Sequence, residues 1–299
     1  MQLLYVIESM ENTPAKADPI KSLKTQFDQT EELFIFLIHL VTAIAKYAET
    51  DSRNRSARNI TTHADLNVNV KLAGNQTLWQ IVENENYIKA IEKFKPRIGD
   101  DNELVRKLYN ELTETQEYKA YTAEEGRNPA SEKAIMSFIF NDFVLPDENV
   151  DLLLEEQFTN WSDDAAMQQQ LVNAFIQKPQ SYKPDVFLGD EKWKFARDLF
   201  VTVTDKKEHL LEYIVPKLKN WEADRIAILD MLILRMGIAE LLYFETIPPK
   251  VTINEYIDIG KEYSTAQSGQ FINGILDNVR KELVENNKLH KTDFKPARR

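Results

Sequence analysis

Apolar residues recur at three- and four-residue spacing along nearly the whole chain. That period limits the fold more than any other feature, because it writes one apolar stripe after another along helices. In the clearest run, Leu23 and Phe27 are followed by Leu33, Phe34, Leu37, Ile38, Val41, Ile44 and Ala45. Glycine points the same way. Only 8 glycines occur in 299 residues, and hairpins and phosphate-cradling loops depend on glycine for positive φ and close backbone approach. An all-α protein is therefore expected.

Asp18-Pro19 predicts a helix start, with an N-cap followed by proline at the first helical position. The pattern fades near Glu49. Residues 51–76, rich in Asn, Arg and Thr, read as a long loop whose Arg53, Arg55 and Arg58 are either solvated or available to RNA phosphates. Helices are expected near 77–94, ending before Pro96, and near 101–120. Further ones run from Asn128-Pro129, over 148–160, and from Asp163-Asp164 to just before Pro179. Gln177 to Pro184 reads as a linker and a domain boundary. Beyond it, helices are expected near 190–203, 206–219, 222–244, 252–263 and 266–286. Thr252-Ile253-Asn254-Glu255 has the form of a capping box, behind the rigid Ile247-Pro248-Pro249. The division is then a helical N-terminal region over 1–189, a helical core over 190–290 and a short basic tail over 291–299.

Composition excludes several classes. Cysteine is absent, so there is no disulfide, thiol chemistry or cysteine-based zinc site, which suits a reducing cytoplasm. No glycine-rich nucleotide loop, His-Glu-x-x-His or Gly-x-Ser-x-Gly occurs, and the four histidines are scattered. No catalytic residue, metal or cofactor is expected. The N-terminus lacks the basic stretch and cleavage site of a signal peptide. The apolar stretch 226–244 contains Asp230, Arg235 and Glu240, which fits a buried central helix better than a membrane span. The net charge is -11, and residues 141–165, rich in acids and free of bases, read as a solvated face.

Trp221-Glu222-Ala223-Asp224-Arg225 and the following Asp230, then Leu234-Arg235 with Glu240-Leu241, resemble the opening and core of the central helix of the NusB family. Pro249-Lys250-Val251-Thr252-Ile253-Asn254-Glu255 is similar to the family's Pro-x-Lys-Val-x-Ile-Asn-Glu turn. Gly260-Lys261-Glu262-Tyr263 is similar to its Ala-Lys-x-Phe/Tyr stretch. Phe271-Ile272-Asn273-Gly274-Ile275-Leu276-Asp277 resembles Phe-Val-Asn-Gly-Val-Leu-Asp. These motifs, in order, cover roughly 195–286. Near the start, Gln2-Leu3-Leu4-Tyr5 resembles the Gln-Ala-Leu-Tyr of the family's first helix, and the Phe-x-x-x-Leu that follows it in typical members stands only at Phe195. The chain thus reads as a long form with a large helical insertion. The Arg-rich stretch that precedes Gln-Ala-Leu-Tyr in typical members is missing, since Met1 directly precedes the motif; either an upstream start supplies it, which we expect, or this variant binds RNA weakly.

The resemblance implies a NusB-like helical bundle and a non-enzymatic transcription antitermination factor. It would bind boxA-type single-stranded RNA together with NusE, the small-subunit ribosomal protein, so that RNA polymerase reads through terminators, especially in ribosomal RNA operons. It also implies a site. Phe271 would stack on a base, flanked by Gln270 and Asn273 for polar contacts, with Lys250 and Lys261 on phosphates. Spacing alone favours Phe271 as a core residue beside Ile275, and the resemblance brings the two readings nearly level. For NusE, the resemblance carries over Tyr5, Asp224 and Asp230; read locally, Asp224 is a first-turn acid and Asp230 one half of an ion pair. Arg235 and Glu240 read as buried helix-pairing residues. Two alternatives stay open. One is a protein-interaction scaffold that has lost RNA binding. The other is an RNA methyltransferase bearing a NusB-like domain, which would need a glycine-rich cofactor segment not seen before Arg299.

Overall fold

The structure, a computed structural model, describes residues 1–9, 18–57, 69–98, 103–181, 189–218, 226–265 and 267–292. Every regular element among them is helical. The chain divides into two compact units: Met1–Lys24 with Asp190–Arg299, and Thr25–Gly189.

The first unit holds α1 (Gln2–Ser9), the opening turns of α2 (Pro19–Ser56), α10 (Asp190–Asp205), α11 (Lys207–Ile214), α12 (Ile228–Tyr243), α13 (Pro249–Tyr263) and α14 (Ser268–Glu285). α12 is its spine. From Leu232 to Leu241 every residue is buried, and α1, α10, α11, α13 and α14 all pack on it. A helix apolar all round must be enclosed in this way. α14 is instead two-faced: Ile272, Ile275, Leu276, Val279 and Leu283 are buried, while Gln270, Asn273, Gly274 and Asn278 are exposed.

The second unit is organised around the rest of α2. Asp18 caps that helix, its Oδ1 accepting from the Ile20 amide at 2.9 Å. Nearly every residue from Leu33 to Ala45 is buried, among them Leu33, Ile35, Leu37, Leu40 and Ile44. Phe34 and Phe36 stack edge-on against Phe175 and Phe158. Among the described residues α2 is the one helix long and apolar enough to cross a membrane, and 67% of that apolar window is buried within the fold, as in a core helix. Packed with it are α3 (Gln76–Val82), α4 (Glu85–Phe94), α5 (Glu103–Glu114), α6 (Gln116–Ala123), α7 (Pro129–Phe138), α8 (Glu148–Gln157) and α9 (Trp161–Gln177). α7 runs on into a π-helical turn at Ile139–Val144.

Several expected boundaries move. The predicted loop at 51–76 is wrong at its start, because α2 continues to Ser56 with Arg55 paired to Asp51 one turn back, at 2.8 Å. Polar i,i+4 pairs sustain a helix that an apolar pattern does not mark. The single helices expected over 77–94 and 101–120 are each two. Asn84 and Thr115 end one helix and cap the next, accepting from the amides of Tyr87 and Tyr118. The capping box at Thr252 is also overturned. α13 already starts at Pro249, and the buried Thr252 donates to Glu240 instead.

Charge is divided as sharply as the fold. Residues 25–189 contain 27 of the 48 acids and 16 of the 37 bases, a net of -11. The remaining residues hold 21 of each and are neutral. The acids of 141–165 are not only a solvated face: Asp147 caps α8 and pairs with Lys107, and Asp151 accepts from the Trp161 indole at 2.8 Å.

Candidate RNA and partner interface

Three ionisable residues interrupt the apolar spine of α12, and each ties it to a different neighbour. Arg235, 3% exposed, donates through Nη1 to Glu8 Oε1 on α1 at 2.8 Å. Lys207 of α11 reaches the other oxygen of Glu8 at 3.0 Å. Burial pushes the Glu8 carboxyl up, but the hydrogen bonds and charges of Arg235 and Lys207 outweigh it and hold its pKa below the ordinary value. Glu240 accepts from Thr252 Oγ1 at 2.7 Å and from the Tyr256 hydroxyl at 3.0 Å, both on α13. Burial and the adjacent Glu240 raise the Tyr256 pKa well above normal. Lys291 donates to the carbonyls of Glu240 and Phe244, closing the C-terminal end of α12 where unpaired carbonyls collect.

Asp230 differs from the other two. The Ser268 hydroxyl, at the start of α14, donates to Asp230 Oδ2 at 2.9 Å and accepts from the Thr265 amide at 3.2 Å. This joins the first turns of α12 and α14. The second oxygen, Oδ1, is buried and has no hydrogen-bond partner among the described residues. Asp230 lies in the wall of an open groove of about 640 Å³. Ile226, Ala227 and Phe271 supply its apolar lining, and Gln267 and Gln270 supply amides. An unpaired buried carboxylate oxygen is costly unless a donor reaches it.

The sequence-derived residues fall into three groups. Asp230, Gln270 and Phe271 meet at the groove. Phe271 is half-buried against the core of the first unit, so it has both a core side and a surface side. Lys261 lies beside them: its aliphatic stem covers Gly269, where an added Cβ would stand 2.8 Å from Lys261 Cγ, and its ammonium pairs with Asp258 at 2.8 Å. Asn273 is exposed on the same face of α14 as Gln270. Lys250 is exposed at the other end of α13, about 16 Å along the helix from Lys261. Tyr5, 44% exposed, stands on α1. Asp224 lies outside the described residues. The sequence reading missed the hydroxyl cluster of Ser264, Thr265 and Ser268; its signal was the Ser-Thr-x-x-Ser run just ahead of the Phe-Ile-Asn-Gly motif.

The first unit is thus a helical bundle on a buried central helix, with a groove formed where α12 and α14 begin. Residues 150–281 match the NusB family, and the chain carries a NusB-family domain. The match begins within α8, ahead of the unit boundary at Gly189. Three proteins called transcription antitermination protein NusB are similar. Those of Chloroherpeton thalassium, Salinibacter ruber and Methylacidiphilum infernorum are 38%, 44% and 47% identical over 114, 98 and 94 residues. These alignments cover 38%, 33% and 31% of this chain, and 52%, 61% and 66% of the relatives' own lengths. The chain therefore spans between half and two thirds of the relatives that it matches. A solved structure of T. maritima NusB aligns over 41% of this chain and 82% of its own, at 28% identity and a TM-score of 0.30.

Proposed function

We propose that this protein is a non-enzymatic, cytoplasmic transcription antitermination factor. It binds boxA-type single-stranded RNA jointly with NusE and promotes read-through by RNA polymerase, above all in ribosomal RNA operons. The observation that carries the reading is the half-buried Phe271 at the mouth of the α12–α14 groove, with Gln270, Asn273 and Lys261 on the same surface. A half-buried ring in the wall of a groove suits stacking on a base, amides serve base edges, and lysines serve phosphates. The charge division supports it: the acid excess belongs to residues 25–189 and leaves the first unit neutral. Asp230, with one unpaired oxygen among the described residues, suits a cationic side chain of the basic partner NusE, and the family resemblance assigns Tyr5 and Asp224 to the same partner.

The same carboxylate favours a second reading, a scaffold that binds NusE but not RNA, because a buried acid beside the groove repels phosphate. Fluorescence anisotropy with a boxA-like strand, with and without NusE, decides. Under the first reading the parent binds RNA, more tightly with NusE, and Phe271→Ala costs roughly 1–3 kcal/mol while circular dichroism stays unchanged. Retained NusE binding with no saturable RNA binding selects the scaffold. A folded Phe271→Ala protein with unchanged affinity removes the stacking role.

A further inference from the structure

The second unit carries a groove of its own. α6 and α7 pack together, and each turns an i, i+3, i+4, i+7 stripe toward a cleft of about 440 Å³. From α6 come Glu117, Ala120, Tyr121 and Glu124; from α7 come Ser131, Ala134, Ile135 and Phe138. Buried Tyr121 and Ile135 make the floor. Ala120 and Ala134 are exposed, and their small side chains let another backbone come close. The stripes are two turns, or about 10 Å, long.

The rim carries Glu117 and Glu124, and among the described residues no nearby cation pairs with either. Lys119 pairs with Glu114 and Arg127 with Glu132. Lys133 donates to the Gln177 carbonyl. The Lys71 ammonium is held by the carbonyls of Tyr121 and Glu124 and by the Tyr121 ring. Among the described residues, the Glu117 and Glu124 carboxylates have neither an ion pair nor a hydrogen bond. Glu124 also stands at the C-terminal cap of α6, where the helix dipole disfavours a negative charge.

We propose that this groove docks a basic amphipathic helix of a partner protein. Its apolar i, i+3, i+4 and i+7 side chains lie between α6 and α7, and Lys or Arg on one edge meets Glu117 and Glu124. The occupant follows from charge complementarity in a unit of net charge -11 and from the matched helical stripes. The inference concerns the second unit and does not depend on the RNA-binding reading.

The test uses the full chain and two designed 14-residue helical peptides with leucines in that pattern. One has lysines along an edge, the other glutamates. The lysine peptide should bind saturably and about tenfold or more tightly than its counterpart. Ala134→Arg, at an exposed site that leaves the core intact, should weaken it about tenfold or more. Glu117→Lys with Glu124→Lys should reverse the preference. No saturable binding, equal binding of both peptides, or indifference to Ala134→Arg would overturn the proposal. So would a dimer in sedimentation that Ala134→Arg dissolves, since a second copy would then be the occupant.

Discussion

The Arg235 guanidinium donates to Glu8 Oε1 at 2.8 Å, closing α12 onto α1 across 227 positions of the chain. The guanidinium is buried and its Nε has no partner among the described residues, so among them Glu8 compensates the charge. Removing one member of a buried pair strands the other.

Glu8→Ala should therefore destabilise the first unit by about 3 kcal/mol at neutral pH. The pH dependence has a definite sign. The folded pKa of Glu8 is depressed, so its contribution is complete above the ordinary glutamate range and is lost as pH falls through the folded value. Urea unfolding of parent and variant should differ most at neutral pH and converge as the pH falls below the folded value. A constant difference across that range would mean that the Glu8 charge is not what stabilises.

Gly260 and Ile272 form a second relationship, at the α13–α14 contact. A Cβ placed on Gly260 would stand 2.3 Å from Ile272 Cδ1. The family patterns that these segments resemble have alanine and valine at the two places. Here a methyl is absent from one helix and present on the other. Gly260→Ala alone should cost about 1–3 kcal/mol by overpacking, and Ile272→Val alone about 0.5–1.5 kcal/mol by leaving a void. Together they should restore or exceed parent stability, since alanine also favours the helix by about 1 kcal/mol over glycine. Effects that add within about 0.5 kcal/mol would show that the two sites do not share one space.

If Lys250 and Lys261 contact phosphates, each Lys→Ala change should reduce the slope of log affinity against log salt by about 0.7, whereas Gln270→Ala should weaken binding with the slope unchanged. Anisotropy titrations at several salt concentrations separate the two. The wide spacing of the lysines along α13 makes the test sharp: a strand crossing only the groove would leave the Lys250→Ala slope at the parent value.

Helix content, the buried character of α12 and the family motifs were all legible in the residues, because each rests on local spacing. Asp18-Pro19 and Asn128-Pro129 start helices as their chemistry requires. Breaks at Asn84 and Thr115 were missed because a residue that caps one helix also sits inside a continuing apolar period. Thr252 was misread because its side chain answers to Glu240, twelve residues away, and not to its own backbone.

The sequence by itself determined that the chain is helical, where most of the helices run, and that α12 must be enclosed. Periodicity and turn chemistry act over a few residues and can be read there. Only the tertiary structure decided what the polar residues of α12 do. Arg235 could have faced any carboxylate, and Asp230 any donor; the fold places Glu8 against one and Ser268 against the other. It also left one buried oxygen of Asp230 without a hydrogen-bond partner among the described residues, in the wall of the groove that Phe271 lines. It assigned the whole net charge of -11 to residues 25–189 as a separate unit. Side-chain pairing across a core depends on distances between helices, and those distances are set by packing, which no local pattern encodes.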